Sequence, residues 1–430
     1  MKFQLISLGC SKNTADSEAI ASRFSRFGWQ WSEAPENADL LLINTCGFIK
    51  DAKEQSIMTI LKALELKNIS ARLKVAAFGC LIKRYHSEIR QQIPELDFTF
   101  EFLSDDNVEF LCSLKPGGKI IEKDYNKSWR FFTPPHIGIL KIAEGCSNRC
   151  SYCAIPSIRG PFYSRPEKDI LNDAAKLADS GAKEISVVAQ DITRYGTEQN
   201  NACMLPELVN KLAKIDSIDW IRLHYMHPRG LDAELIDQLY QIPKVVPYFD
   251  IPFQHFSDRM LRLMNRHTSP EHIVKIIRHI RKRYRSASIR TTFIVGFPGE
   301  TDEDFNQLIE FIEKHPIDRV GAFAFSTEEG TSAAKIIPKI PNNIKQSRLD
   351  QLMTLQQLLV EERNRRLIGK KVDVMIDSVE ERLAFGRTIW DAYEVDNRTI
   401  IDSANNLKPG QIVKCKITQA DAYDFKAEIP

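Results

Sequence analysis

The chain has 430 residues, and 43% of them are hydrophobic, which is enough apolar material for two or three separate cores. Lysine and arginine number 59 against 57 for aspartate and glutamate, a net charge of +2. This balance excludes bulk electrostatic attraction to nucleic acid or to a membrane surface as the main basis of binding.

No part of the sequence approaches the 18 consecutive apolar residues of a transmembrane helix, and no small-residue cleavage site follows the short apolar run near the amino terminus. We therefore expect a cytoplasmic protein without a membrane partner. Nine cysteines in such a chain favour metal ligation or catalysis over disulfide bonds.

The first third of the chain repeats one pattern three times. The strand-like segments FQLISLGC, DLLLINTC and RLKVAAFGC each run directly into a cysteine, and these are Cys10, Cys46 and Cys80. Helical patterns follow at 16–27 and 51–66, so the alternation predicts a parallel α/β sheet. Because the carboxyl ends of parallel strands meet at one edge, we expect the three cysteines to share a metal site.

The alternative for each of these cysteines is a small buried apolar side chain, which is the commoner role for a cysteine after a single strand. Three equivalent placements favour a shared site over that alternative. The cysteines that lack this placement are interpreted as structural, namely Cys112, Cys203 and Cys415.

A second and longer alternation of strands and helices begins near residue 134. Its six strands are GILKIAEGC, EISVVAQD, WIRLHYMHP, YFDIPFQH, IRTTFIVGFPGET and RVGAFAFSTEEG. Six βα units predict a partial (β/α)6 barrel. The strands end in polar or glycine-rich residues, which is where barrel enzymes place their active sites.

The motif EGCSNRCSYCAIP, at 144–156, follows the first of these strands. It holds Cys146, Cys150 and Cys153 in a CxxxCxxC spacing, with no fourth cysteine nearby. A structural zinc site or a closed iron–sulfur cluster needs four protein ligands. Zinc is the weaker alternative, because the surrounding sequence lacks a matching second pair of cysteines or histidines.

A CxxxCxxC motif after the first strand of a βα barrel resembles the radical S-adenosylmethionine (SAM) superfamily. In that superfamily three cysteines hold a [4Fe-4S] cluster and leave one iron open. The resemblance implies that the amino and carboxylate groups of SAM chelate this iron. It also implies that an electron from the cluster cleaves the sulfonium to a deoxyadenosyl radical.

Within that superfamily, nearly the whole chain resembles the methylthiotransferases. LGCSKNTADSE, INTCGFIKDAKEQSI and AAFGCLIKRY are similar to the amino-terminal domain of the family, and KIAEGCSNRCSYCAIPSIRGPFYSRP to its radical SAM core. The carboxy-terminal segment resembles a small β-barrel called a TRAM domain. The implied domains are 1–125, 134–366 and 367–430. By the same resemblance, Cys10, Cys46 and Cys80 bind a second [4Fe-4S] cluster that holds the sulfur to be delivered.

Polar and glycine residues at the strand ends are candidates for binding SAM. We expect contacts with the ribose, the methionine carboxylate and the adenine from Gln190, Asp191, Arg222, Arg290, Thr292 and Gly296. The GFPGE turn at 296–300 has an alternative role, because its glycines can simply shape a tight loop.

Two further polar residues of the core have open roles. His255 can be read as a catalytic base, but without a visible partner a structural or substrate-positioning role is favoured. Arg159 either meets the substrate or caps the loop of the motif. The basic run 277–290 could contact ribosomal RNA, although its apolar spacing favours the solvated face of a barrel helix.

The last part of the chain changes pattern again. Residues 344–366 carry leucines at helical spacing, and alternating segments from 367 onward predict a small antiparallel barrel of about five strands. The predicted fold class is therefore α/β, with a parallel amino-terminal domain, a central partial barrel and a small β-barrel.

The main functional hypothesis is a methylthiotransferase that uses two [4Fe-4S] clusters and SAM. The resemblance implies a low-potential electron donor such as flavodoxin or ferredoxin. A non-catalytic iron–sulfur protein is the alternative from another class, and open coordination at two clusters argues against it.

The family divides between an adenosine of transfer RNA and an aspartate of ribosomal small-subunit protein twelve as substrate. Residues 367–430 contain nine Lys and Arg against eleven Asp and Glu, a net charge of −2, whereas an RNA-gripping module should be basic. LGCSKN, NTCGFIKDAKEQSI and DIPFQHFSD also resemble the protein-modifying branch, whereas GCQMN and QSGSD are typical of the other. We therefore expect the β-carbon of a ribosomal aspartate as the target and a basic ribosomal protein as the partner.

Overall fold

The computed structural model describes residues 1–114, 130–200, 202–402 and 406–430. They form two compact units, one of Met1–Pro135 with Cys153–Pro161 and one of His136–Tyr152 with Phe162–Pro430. The predicted domain end at residue 125 lies outside the described residues, and the limits of the three domains stay predictions. No described helix is both long enough and apolar enough to cross a membrane.

The first unit contains a five-stranded parallel sheet in the order β2-β1-β3-β4-β5. Its central strand reads LLLINT and is buried at every position, which is typical of a parallel sheet covered on both faces. The strands are β1 (Lys2–Ser7), β2 (Gln30–Trp31), β3 (Leu40–Thr45), β4 (Lys74–Gly79) and β5 (Phe98–Phe100).

Helices cover both faces of this sheet and enclose two apolar clusters. The predicted helices at 16–27 and 51–66 are present but begin earlier, because each starts close behind its cysteine-bearing turn. The helices are α1 (Ser11–Arg26), α2 (Lys50–Glu65), α3 (Cys80–Gln92), α4 (Asp105–Ser113) and, from the second segment of the unit, α5 (Ile155–Arg159).

Residues 130–135 belong to the first unit and pack against its helix α1 and strand β2. The Glu18 carboxylate accepts hydrogen bonds from the backbone nitrogens of Phe131, Phe132 and Thr133 at 2.8, 3.0 and 3.1 Å. The Phe131 ring also stacks on Trp31, with centroids 4.4 Å apart. A buried carboxylate is thus satisfied by the segment that precedes the barrel.

The second unit contains the predicted partial barrel. Its six parallel strands form two sheets, β6-β9-β10 and β11-β12-β13, with a parallel bridge from Ile221 to Val245 between them. The short strands β7 and β8 pair antiparallel beside them. The strands are β6 (Ile137–Lys141), β7 (Ala143–Glu144), β8 (Tyr163–Ser164), β9 (Glu184–Val188), β10 (Trp220–Leu223), β11 (Tyr248–Asp250), β12 (Ser288–Val295) and β13 (Arg319–Ala324).

Helices between these strands bury one apolar face each. The helix that covers the first part of 277–290 ends at Arg283; it buries its isoleucines and leaves Arg278 and Lys282 exposed, as its spacing predicts, whereas Arg290 lies in a strand. The helices are α6 (Glu167–Asp179), α7 (Thr197–Asn200), α8 (Leu205–Leu212), α9 (Ala233–Tyr240), α10 (Asp258–Leu263), α11 (Pro270–Arg283), α12 (Asp302–Lys314) and α13 (Asn342–Arg365). Short 3-10 helices lie at Pro35–Asn37, Leu66–Asn68, Ile192–Arg194, Pro228–Gly230 and Ser332–Lys335.

The chain ends in a closed five-stranded barrel in the order β14-β15-β16-β18-β17, which belongs to the second unit. Its strands enclose an apolar cluster of their own. The predicted fold class is therefore confirmed in all three parts, with one departure: β16 and β18 of this barrel pair in parallel, whereas the sequence predicts an all-antiparallel barrel. The strands are β14 (Lys371–Glu380), β15 (Leu383–Thr388), β16 (Arg398–Asp402), β17 (Ile412–Ala420) and β18 (Asp424–Glu428).

Candidate functional site

Three cysteines of the first unit lie together at the carboxyl edge of its sheet. Cys10 follows β1, Cys46 follows β3, and Cys80 follows β4 as the first residue of α3. Burial raises the pKa of the Cys46 thiol to about 11, and the nearby Cys10 and Cys80 add to that rise. The topology that sequence periodicity predicts thus brings three distant thiols into one site.

Glycine allows the loops of this site to approach closely. A Cβ added to Gly47 would lie 2.7 Å from the backbone nitrogen of Leu81, a distance that real side chains do not tolerate. The turn that carries Cys46 can therefore pack directly against the start of α3, which carries Cys80.

Arg159 of α5 lies beside this first site, within the same unit. Its guanidinium pairs with Asp16 at 2.9 Å, donates to the Asn13 side-chain oxygen at 2.7 Å and lies over the Phe102 ring at 4.5 Å. Burial raises the pKa of the Cys80 thiol, and the positive charge of Arg159 offsets part of that rise. Arg159 is thus a neighbour of the Cys80 sulfur and is neutralised by a carboxylate.

The second unit carries Cys146 and Cys150 at the mouth of the barrel. The strands β7 and β8 pair at the base of this loop, and the Ser147 hydroxyl accepts a hydrogen bond from the backbone nitrogen of Phe162 at 3.1 Å. Burial raises the pKa of Cys146 to about 11, and the nearby Cys150 adds to the shift. The two thiols therefore lie close to each other. Cys153 begins the segment Cys153–Pro161 of the first unit.

Among the described residues, no three His, Cys, Asp or Glu side chains close around a single metal ion. Cys10, Cys46 and Cys80 are neighbours, as are Cys146 and Cys150, but neither group closes on one point. A polynuclear cluster spreads its ligands over several irons, and its cysteines are accordingly further apart than those of a mononuclear site.

Asp191, a predicted SAM-binding residue, holds the motif loop in place. One carboxylate oxygen accepts a hydrogen bond from the Asn148 side chain at 2.6 Å, and the other accepts from the Thr193 hydroxyl at 2.6 Å. Burial raises the pKa of Asp191, and these hydrogen bonds act in the opposite direction. Its contacts therefore favour a positioning role at the end of β9.

The segment after α10 holds the same loop from the other side. The backbone nitrogen of Ser151 donates to the Met264 carbonyl at 3.0 Å, and the Asn265 side chain donates to the Arg149 carbonyl at 2.6 Å. The next residue, Arg266, donates to the Cys150 sulfur at 3.4 Å. Sequence reasoning missed this contact because 116 residues separate its two partners.

Besides the Nε of Arg266, the polar groups near the barrel mouth include two that have no hydrogen-bond partner within the described part of the chain. These are the buried side-chain oxygen of Gln190 and the buried Nε2 of His227. The other ring nitrogen of His227 accepts a hydrogen bond from the backbone of Arg229 at 3.2 Å. Burial lowers the pKa of His227 to about 2, and Arg266 and Arg229 add to the effect. A neutral donor and an amide oxygen are thus available to a ligand.

Arg222 and Arg290, two of the predicted SAM-binding residues, pair with groups of the barrel strands and of the carboxy-terminal barrel. Arg222 donates to Glu184, the first residue of β9, at 2.8 Å, and to the Ile389 carbonyl of the carboxy-terminal barrel at 3.1 Å. Arg290 pairs with Asp250 at 3.3 Å and with Asp396 of that barrel at 3.5 Å. Both guanidinium groups therefore serve the contact between the two barrels, at the end opposite the cysteines. Their chain positions on strands did not reveal in which direction their long side chains extend.

Glu184 is the centre of this contact. Its second oxygen accepts from Arg387 of β15 at 2.8 Å. Burial alone would raise the pKa of Glu184, but Arg222 and Arg387 outweigh burial and lower it to about 2. The carboxylate is therefore ionised inside the protein, between two arginines.

The GFPGE turn serves packing in this structure. A Cβ on Gly296 would lie 2.3 Å from the Lys345 side chain, and the Gly296 nitrogen donates to Glu300 at 2.7 Å. Glu300 also accepts from Arg348 and contacts the Nε2 of His255 at 3.1 Å. His255 thus has a partner that the sequence did not reveal, and both residues are buried.

Thr292 shares a face of β12 with Arg290, one alternation closer to the cysteine-bearing end.

Three family profiles match the chain in sequence order. An uncharacterized protein family, UPF0004, matches residues 2–101, the radical SAM superfamily matches 140–312, and the TRAM domain matches 368–429. Among solved structures, the radical S-adenosylmethionine methyltransferase TsrM from Kitasatospora setae matches with a TM-score of 0.53 and 12% identity, over 75% of this chain and 74% of that chain. A likeness at that identity shows the fold alone.

Curated relatives are similar over their full length. The ribosomal protein uS12 methylthiotransferase RimO of Clostridioides difficile is 41% identical, over 100% of this chain and 99% of its own. The protein of the same name from Chlorobium limicola is 39% identical, over 99% and 98%. That from Aquifex aeolicus is 40% identical, over 99% and 96%. The chain therefore belongs to the ribosomal protein uS12 methylthiotransferases of the radical SAM superfamily.

Proposed function

We propose that this protein transfers a methylthio group to the β-carbon of an aspartate in ribosomal protein uS12. The observation that carries the proposal is the full-length similarity, at 39–41% identity, to relatives named for this activity. The grouping of Cys10, Cys46 and Cys80 supports it, because a plain radical SAM enzyme needs no second set of three thiols.

Two [4Fe-4S] clusters and SAM are the cofactors of this reaction. Cys10, Cys46 and Cys80 hold the auxiliary cluster, and their convergence at one sheet edge fits three ligands with one iron left open. Cys146, Cys150 and Cys153 hold the other through their CxxxCxxC spacing. Cluster and SAM together supply one-electron cleavage of the sulfonium, which yields a radical able to abstract hydrogen from an unactivated carbon.

The protein's own residues orient these groups. Asp191 fixes the loop between Cys146 and Cys150 through Asn148, so the thiols are preorganised. Gln190, just past the end of β9, and Thr292, within β12, bind SAM, and the buried amide oxygen of Gln190 is an acceptor for an ammonium or hydroxyl group. Apolar strands below the mouth exclude water from the radical.

The partners follow from charge and from family membership. The carboxy-terminal barrel, with its net charge of −2, docks on basic uS12. A cavity of about 640 Å3 lies between α11, α13 and that barrel, and the exposed Arg285, Lys370 and Lys371 are among the residues that line it. Because positive side chains bind phosphate groups, ribosomal RNA contacts the protein there. A low-potential flavodoxin or ferredoxin supplies the electron, and the reaction takes place in the cytoplasm.

The deciding assay offers two substrates to the anaerobically reconstituted protein with SAM and dithionite. Isolated uS12 and isopentenylated transfer RNA are incubated separately and followed by mass spectrometry, with the Cys150→Ala variant as the control for background. We expect a methylthio group on the uS12 aspartate. A methylthio group on the RNA and none on uS12 would overturn the proposal.

A further inference from the structure

The Arg266 guanidinium places a buried positive charge against a cysteine of the barrel site. Arg266 is 3% exposed, with one terminal nitrogen 3.4 Å from the Cys150 sulfur and 3.3 Å from the Tyr152 hydroxyl. The other terminal nitrogen donates to the Pro252 carbonyl. No described carboxylate forms an ion pair with Arg266, and its Nε is buried without a hydrogen-bond partner. Such a charge is costly to bury unless an anion compensates it.

The backbone around Arg266 is shaped to place it there. Asn265 and His267, its two neighbours, have φ angles of +54° and +50°, in the left-handed region that residues other than glycine rarely adopt. Asn265 is held in this conformation by its hydrogen bond to the Arg149 carbonyl of the motif loop. Strained backbone persists where the surrounding contacts require it, and it is common at functional sites.

The other charged groups near this position leave the balance positive. Arg194, Arg229 and His267 all act on His227 together with Arg266. The buried carboxylate of Asp191, which favours the charged form of Arg266, already accepts hydrogen bonds at both oxygens from other residues. An anion seated at Cys150 would complete the site, and a cluster bound by three thiolates is such an anion.

We propose that Arg266 is a positioning residue that raises the reduction potential of the cluster bound at Cys146, Cys150 and Cys153. A [4Fe-4S] cluster becomes more negative when it accepts one electron from the donor, so a fixed cation and an N–H···S hydrogen bond favour the reduced form. The proposal rests on the cluster part of the proposed function and is independent of the substrate.

The test is a redox titration followed by electron paramagnetic resonance. Cys10, Cys46 and Cys80 are first replaced by alanine, so that only the barrel cluster contributes to the signal. Arg266→Gln and Arg266→Lys are compared in this background, with Arg262→Gln as the control, because Arg262 is an exposed arginine of α10 paired with Asp258. We expect a lower midpoint potential in Arg266→Gln, a smaller shift in Arg266→Lys and none in the control. Loss of iron from Arg266→Gln but not from Arg266→Lys would also support the proposal, because only the lysine keeps a positive charge beside the cluster.

Three results would overturn the proposal. Unchanged potentials with full iron content would show that Arg266 does not act on the cluster. If the substitutions left the midpoint potential unchanged and altered only the effect of added SAM on the paramagnetic resonance signal, Arg266 would be assigned to SAM binding. Loss of the cluster from both variants would give Arg266 a role in folding. None of these results depends on whether uS12 is the substrate.

Discussion

The two cysteine sites each have a buried arginine beside a thiol, but their charge balance differs. In the first unit Arg159 lies next to Cys80 and forms an ion pair with Asp16 at 2.9 Å. At the barrel mouth Arg266 lies next to Cys150, and no described carboxylate pairs with it. The first arginine is neutralised by the protein, whereas the second is available to a bound anion.

This difference matches the two tasks that the proposed reaction assigns to the sites. The barrel cluster must accept an electron, which a nearby cation favours. In the proposed reaction the auxiliary cluster would hold the sulfur to be delivered, and a neutralised environment would leave its charge less perturbed. The first two predictions separate the tasks, and the next two examine the charge environments.

The largest effect is expected at Cys150. In Cys150→Ala, release of deoxyadenosine from SAM and dithionite should fall to background, because the cluster that delivers the electron loses a ligand. Chromatography of the reaction measures this release. Cys112→Ala is the matched control, since Cys112 is a buried cysteine of α4 outside both sites, and it should keep the release. Wild-type release from Cys150→Ala would contradict the assignment.

Replacement of Cys46 should separate the two activities. Cys46→Ala should still cleave SAM, because the barrel site is intact, but should form no methylthiolated uS12. Both products are measured in one reaction, with Cys203→Ala as the control that should retain both. Methylthiolated uS12 from Cys46→Ala would refute the division of tasks between the sites.

The environment of His227 predicts that the free energy of unfolding changes with pH, by about 1.4 kcal/mol between about pH 7.5 and 5.5. Its folded pKa is lowered to about 2 by burial and by neighbouring arginines, whereas an unfolded histidine titrates near 6.5. Unfolding therefore takes up a proton below about pH 6.5, and the stability that neutral His227 contributes is lost as pH falls. Between about pH 7.5 and 5.5, the wild-type unfolding free energy should fall by about 1.4 kcal/mol more than that of His227→Asn. Urea unfolding at both pH values measures it, and equal falls would contradict the lowered pKa of buried His227.

The smallest effect is expected from Asp16→Asn. This change keeps the shape of the side chain but removes the charge that neutralises Arg159, so the first site becomes more like the second. In protein lacking the three barrel cysteines, the midpoint potential of the remaining cluster should rise slightly. Arg159→Gln in the same background should not raise it. A lower potential in Asp16→Asn would contradict the comparison of the two arginines.

The fold was largely predictable because its signals are local. Apolar runs ending in Cys10, Cys46 and Cys80 gave the parallel sheet, and parallel topology alone implied that these thiols meet. The strands of both barrels follow from the same alternation of apolar and polar segments.

The directions and partners of long side chains were not predictable. Arg222 and Arg290 lie on the predicted strands, yet both extend to the carboxy-terminal barrel, which enters the sequence far later. Arg266 and Cys150 meet only because the turn after α10 returns to the motif loop. Contacts of this kind depend on tertiary packing, which no local pattern encodes.

The most direct test of two separate cluster sites is the iron content of two triple variants. One replaces Cys10, Cys46 and Cys80 with alanine, and the other replaces Cys146, Cys150 and Cys153. After anaerobic reconstitution, wild type should bind about eight irons and each variant about four, with the Mössbauer signature of a [4Fe-4S] cluster in each. A variant that loses nearly all iron, or one that keeps all of it, would contradict two independent sites.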